Sequence, residues 1–176
     1  LGPNRFLRRE PVNIHEILER VVNLIEVESG GDIMLIRDYD PSIPEIIGDK
    51  EQLIQALLNI SRNALQALTA DGLTEKQTDS TKQRRLATDQ PTITFRSRPL
   101  RQFTIGQIRH RLVIRLEVID NGPGVARHMQ SSIFYPMVSS RPEGSGLGLS
   151  ITQSIIGQHQ GLVECESEPG KTNFII

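Results

Sequence analysis

Apolar side chains recur along this chain at two distinct periods. Ile14, Ile17, Leu18, Val21 and Ile25 return at helical spacing and share one face of a predicted helix. Asn13 precedes them as a cap, and Glu16, three positions on, completes a capping-box pattern. Gly30 and Gly31 end that helix. A second stripe, Leu53, Leu57, Ile60, Ala64 and Leu68, follows Asp49 and predicts a longer helix. At about 100° per residue, Gln55, Asn59, Arg62, Asn63 and Gln66 gather on its opposite face. Amides and an arginine make up that face, in place of the Glu and Lys mixture of a plain solvated surface. A third helix is predicted from about Leu147 to His159, with Gly161 as its C-terminal stop.

The shorter period marks strands. They are predicted at Ile33 to Arg37, Thr92 to Arg98, Arg109 to Asp120, Val163 to Ser167 and from Thr172 onward. Pro41 and Pro44 bracket a loop, Gly106 lies in a connection, and Pro169-Gly170 makes a turn. Residues 71–90 are polar and without period, which reads as a flexible loop. A Gly-, Pro- and Ser-rich segment leads up to Gly146. Helices mixed with hairpin-like strand pairs predict a two-layer α/β sandwich, one mixed and mainly antiparallel sheet with helices on one face. Residues 1–11 read as a linker and 12–176 as a single domain.

At 176 residues the chain is long enough for one hydrophobic core. A net charge of −1 gives no electrostatic case for general nucleic-acid binding. The single cysteine, Cys165, alternates with charged neighbours and reads as a small core-facing hydrophobe. No apolar run approaches the roughly 18 residues that span a bilayer, and no signal peptide is visible. Any membrane segment is expected to lie outside this sequence.

Three features carry candidate chemistry. Leu112, Ile114, Leu116 and Val118 share one strand parity, and Asp120 shares it too. An inward carboxylate is costly unless it is hydrogen-bonded. Asn121-Gly122-Pro123-Gly124 follows it, and the two glycines allow a backbone to approach a ligand closely. Such a carboxylate suits the exocyclic amine of adenine; on spacing alone it equally suits a turn cap. Next, Gly144-Ser145-Gly146-Leu147-Gly148 runs into a helix, where free N–H groups favour phosphate. Third, Asn59 and Asn63 are helix neighbours whose amide oxygens suit Mg²⁺, with Arg62 beside them for phosphate. Each alone has a structural explanation. Together they supply a base acceptor, a metal ligand and a phosphate cradle.

On these residues the sequence resembles the GHKL ATP-binding family, named for gyrase, Hsp90, histidine kinases and MutL. Asn59-Ile60-Ser61-Arg62-Asn63-Ala64 resembles its N box, and Asp120-Asn121-Gly122-Pro123-Gly124 its G1 box. Ile133-Phe134-Tyr135-Pro136-Met137 resembles the F box, and Gly144 to Leu149 the G2 box. The resemblance implies ATP and Mg²⁺ held between the N-box helix and a lid at about residues 126–145. It implies Asn63 as metal ligand and Asp120 as adenine acceptor, with Gly122 and Gly124 allowing close approach. Tyr135, Arg141, Ser145, Gly146, Leu147 and Gly148 complete the expected nucleotide contacts.

In gyrase-like and MutL-like relatives a glutamate four residues before the metal asparagine activates water. Here that position is Asn59, and an amide is a poor general base. The resemblance therefore implies the histidine-kinase branch, with catalysis by Asn63, Arg62 and Asn59 through positioning and electrostatics. The acceptor histidine is expected on a separate dimerisation domain. His15-Glu16 lacks the Asn-Pro of an acceptor box and reads as a helix-start residue; His110, His128 and His159 lack acceptor contexts as well. Leu35 to Pro44 and Phe134 to Ser139 further resemble the cytoplasmic nitrogen-regulation sensor kinases of the NtrB type. That resemblance implies a response regulator of the NtrC type and a PII signal protein as partners. The alternatives are a stand-alone GHKL ATPase of the gyrase or MutL type and a nucleotide-free interaction module.

Overall fold

Asn13 starts the first helix as its spacing predicts, although the cap bond goes to a different donor. The computed structural model describes residues 7–74, 90–122, 148–168 and 171–175. A short strand β1 (Glu10–Val12) leads into α1 (Ile14–Ser29). The Asn13 side chain accepts from the His15 N–H at 2.9 Å. Glu16 donates its N–H to the Asn13 carbonyl at 3.2 Å, and its carboxylate lies 3.9 Å from Lys50 Nζ. The helix stops at Gly30, which takes the left-handed conformation (φ 65°) that favours glycine.

Then come β2 (Met34–Asp38), β3 (Ile46–Gly48), α2 (Lys50–Thr74), β4 (Thr92–Ile105), β5 (Ile108–Asp120), α3 (Gly148–Gln158), β6 (Glu164–Glu168) and β7 (Lys171–Ile175). The main sheet has five strands in the order β2-β4-β5-β7-β6. β2 and β4 run parallel, and the remaining pairs are antiparallel. β1 and β3 form a separate antiparallel ribbon. The core lies between helices and sheet: Ile17, Ile25, Leu57 and Ile60 meet Ile93, Phe95 and Val118, all fully buried. This is the mixed, mainly antiparallel sandwich expected.

β1 and β3 are strands that the sequence reading did not predict, β1 beginning inside the segment read as a linker, and three further differences concern element ends. α2 continues through Thr74, so the first residues of the expected loop are helical. No proline interrupts them, and Gly72 alone costs only about 1 kcal/mol. The rest of that loop, 75–89, lies outside the described residues. The presumed connection between β4 and β5 is itself strand. Pairing runs from Ile93–Asp120 to Ile105–Ile108 and closes at Gly106-Gln107. Gly106 has φ 63°, as a two-residue hairpin turn requires. Pro99 and Gly106 look like breakers in the sequence. Pro99 is tolerated because β2 ends opposite Arg96, leaving β4 an edge strand beyond it. The third difference is at the end of α3. Gln160, not Gly161, holds the left-handed position (φ 60°). Gly161 donates its N–H to the Ile156 carbonyl at 2.8 Å, and an added Cβ would come within 2.6 Å of Ile156 Cγ2. Its glycine is required by space rather than by φ.

The inward parity of β5 holds for Leu116, Val118 and Asp120, and Ile114 packs against the core. Leu112 is exposed, because the hairpin there runs past the helices. Cys165 is partly buried against the same core, as its alternation suggests.

The outward face of β4 and β5 carries charge. Arg96 lies 2.8 Å from Asp38 and 3.6 Å from Glu117; Arg98 reaches Asp38 at 2.7 Å, and Arg115 reaches Glu117 at 2.8 Å. Arg98 first, then Arg96, holds the Asp38 carboxyl below the usual carboxylate value. A folded value below the unfolded one stabilises the fold at neutral pH, and that stabilisation is lost as pH falls from about 4 through the folded value. D38N should therefore melt below wild type near pH 6, with the gap closing toward pH 3. A gap that is constant with pH would contradict this role.

Candidate functional site

β5 delivers Asp120 to the helix layer. The residue is 2% exposed, and its Oδ1 accepts the Gly122 N–H at 2.8 Å. Burial makes that partner necessary, since an unsatisfied carboxylate would be costly there. The turn after β5 lies against α2. A Cβ at Gly122 would meet Asp120 Oδ1 at 2.9 Å and Ala67 Cβ at 3.4 Å. Only glycine leaves the carboxylate and the helix in this contact. Asn121 holds the turn from the other side: its Oδ1 accepts the Thr92 N–H, and its Nδ2 donates to the Gln90 carbonyl, both at 2.9 Å.

Ala67 stands one helical turn beyond Asn63 and two beyond Asn59. The amide row of α2 therefore leads directly to the Asp120–Gly122 turn. Asn59 and Asn63 are both half-buried. Arg62 turns elsewhere. Its guanidinium grips Glu28 of α1, with Nη2–Oε1 at 2.7 Å and Nε–Oε1 at 3.1 Å, and this bond raises its pKa.

α3 closes the third side. Thr152 Oγ1 donates to the Ala56 carbonyl of α2 at 3.3 Å. At the far end of α3, His159 Nε2 accepts the Asp49 N–H at 3.0 Å, while Nδ1 lies 2.8 Å from the Ile155 carbonyl. That pair of contacts sets the tautomer, with the proton on Nδ1. The Asp49 carboxylate accepts from the Gln52 N–H at 3.2 Å and from the Arg8 N–H at 3.0 Å. The anchors at Ala56 and Asp49 give α2 and α3 one antiparallel register. Counted back one turn from Thr152 along that register, Gly148, the first residue of α3, corresponds to Ile60, which lies between Asn59 and Asn63 in sequence. N–H groups at a helix start favour an anion.

Asp120 and Gly122 thus lie against α2 at Ala67, one turn from Asn63 and two from Asn59, whereas the Arg62 guanidinium is engaged with α1. Gly124, Tyr135, Arg141, Ser145, Gly146 and Leu147, together with the lid at 126–145, lie outside the described residues. Asn121, Thr152 and His159 have positioning contacts that periodicity does not reveal; only the placement of Asn121 directly after Asp120 hints at one. His15, the helix-start histidine, stacks on Tyr39 with ring centroids 5.0 Å apart, and its Nε2 lies 2.9 Å from Ser97 Oγ. Among the described residues no group of three or more His, Cys, Asp and Glu side chains is placed to hold a metal ion. No helix among them is long and apolar enough to cross a membrane.

Residues 48–176 match the family described as histidine kinase-, DNA gyrase B- and HSP90-like ATPases. The chain belongs to that family. Members similar to it over all 176 residues include the sensory histidine kinase/phosphatase NtrB of Klebsiella oxytoca, at 44% identity, and that of Salmonella typhimurium, at 45%. The NtrB of Rhodobacter capsulatus is 39% identical over 167 residues. This chain spans 45% of the length of the first two relatives and 42% of the third. Solved structures of ATPase-family kinases share the fold. The catalytic domain of the histidine kinase ThkA superposes with a TM-score of 0.71 at 21% identity, covering 96% of this chain and 93% of that one. Full-length ShkA in complex with AMPPNP gives a TM-score of 0.67 at 25% identity, over 97% of this chain and 31% of that one.

Proposed function

We propose that this chain is the ATP-binding catalytic domain of a two-component sensor histidine kinase. It would transfer the γ-phosphoryl group of Mg-ATP to a histidine on a separate dimerisation domain. The observation that carries the reading is the convergence of a buried carboxylate, a cramped glycine turn and an amide row on α2. Similarity to the NtrB kinases along the whole chain supports the kinase branch of the family and a role in nitrogen regulation. A response regulator of the NtrC type and a PII signal protein are the partners that role requires.

The residues fit Mg-ATP. Gly122 lets the turn close against α2 without a Cβ that would displace the Asp120 carboxylate. Asp120 is placed to accept the exocyclic amine of the base. Asn63 offers a hard oxygen to Mg²⁺, which takes its remaining ligands from water and phosphate and needs no carboxylate cluster. The start of α3 faces the phosphates with its N–H groups. When bound through Asn63, Mg²⁺ would supply positive charge that offsets the negative charge developing on the phosphates during transfer. Asn59 offers no general base, so it leaves water unactivated. Gly124, Tyr135, Arg141, Ser145, Gly146 and Leu147 are proposed to complete the contacts with the nucleotide, and Arg62 to reach phosphate on leaving Glu28.

The test mixes this domain with Mg-ATP and a separately expressed acceptor-histidine domain of the nitrogen-sensor type. Acid-labile phosphate should accumulate on the acceptor, with no ATP turnover above a buffer blank when the acceptor is omitted. Steady turnover without acceptor would instead favour a gyrase- or MutL-type ATPase.

A further inference from the structure

Among the described residues of α3, the buried side chains are Thr152, Ile155 and Ile156. Leu53, Ala56, Leu57 and Ile60 meet Ile155 and Ile156, all buried. Thr152 lies among them, fully buried, and its hydroxyl donates to the Ala56 carbonyl at 3.3 Å. A hydroxyl in such a place adds little to stability, because its desolvation offsets most of the hydrogen bond. A lone polar side chain in an apolar helix seam has a better-attested use, which is to select one register over its neighbours. Apolar faces alone permit a slide of one turn, about 5.4 Å.

We infer that Thr152 is a positioning residue of the nucleotide site: its bond to Ala56 fixes the register that sets the start of α3 against Asn59 and Asn63. The inference rests on the reading under Proposed function and deepens it. Thr152 touches no nucleotide. It acts on the phosphate end only, because Asp120 and Gly122 are carried by β5 and the turn that follows it, not by α3. His159 anchors the opposite end of α3 to Asp49, and Thr152 is the anchor nearer the start of the helix.

The position of the effect makes it testable. The purified domain is titrated with Mg-ADP and, separately, with adenosine, each competing against a fluorescent ATP analogue. In T152V, which keeps the shape and removes the hydroxyl, the Kd for Mg-ADP should rise about three- to tenfold. The Kd for adenosine, which lacks phosphates, should stay at the wild-type value and so also report that the variant is folded. T152S should recover Mg-ADP affinity. Wild-type Mg-ADP affinity in T152V overturns the inference. So does an equal loss for both ligands, which means general loosening, and so does a T152S variant as weak as T152V. A wild-type domain that binds neither ligand overturns the nucleotide-site reading itself, and this inference with it.

Discussion

Alanine at Asp120 or at Asn63 is expected to abolish Mg-ADP binding in calorimetry, while each variant still melts cooperatively. Under the proposed function the two act at opposite ends of the ligand. Asp120 is a buried acceptor at the end of β5, and Asn63 belongs to the amide row of α2 one turn from the Ala67 contact. Hydrogen bonds to a charged group are worth about 1.5–3 kcal/mol, or about 10- to 150-fold in Kd. D120N sharpens the test at Asp120. It preserves size, yet can present an NH2 group where the carboxylate offers only acceptors, so it should lose at least about tenfold. Wild-type affinity in both alanine variants would remove the site assignment.

Phe95→Ala should be the most destabilising single truncation in the sheet. Phe95 is fully buried on β4, between the helices and Val118, its cross-strand partner on β5. Removing a buried phenyl ring costs about 3–5 kcal/mol. For a domain of this size each kcal/mol lowers the melting midpoint by about 2–4 °C, so the drop should be on the order of 10 °C. Phe103 on the same strand is 39% exposed on the projecting part of the hairpin. Its truncation should cost about 1 kcal/mol or less. Similar midpoints for the two variants would mean the core does not sit where burial places it.

Much of the fold is legible because it rests on period. The stripe Leu53, Leu57, Ile60, Ala64 and Leu68 is buried to the last residue. So is the inward parity that ends on Asp120. Element ends were harder to read, since Pro99 and Gly106 mark breaks in most contexts, and only the absence of β2 beyond Asp38 makes Pro99 tolerable. The site was legible as a set of residue types: asparagines on one helix face, an acid before glycines, and a glycine-rich helix start. What holds the set together was not. Thr152 and Ala56 are 96 positions apart, and His159 and Asp49 are 110 apart. No local pattern encodes a contact between such distant positions. Arg62 shows the converse. The helix wheel groups it with the amides, yet a carboxylate from α1 claims its guanidinium.

Asp49 ties three parts of the chain into one mechanical joint. Its side chain receives the backbone of Arg8, just ahead of β1, and the first turn of α2, while its own N–H engages the ring of His159. A pull on the polypeptide at Arg8 is therefore felt by both helices at their shared end. Because the two helices run in opposite directions from this joint, a tilt begun there is carried farthest at the other end of α3, where it starts at Gly148.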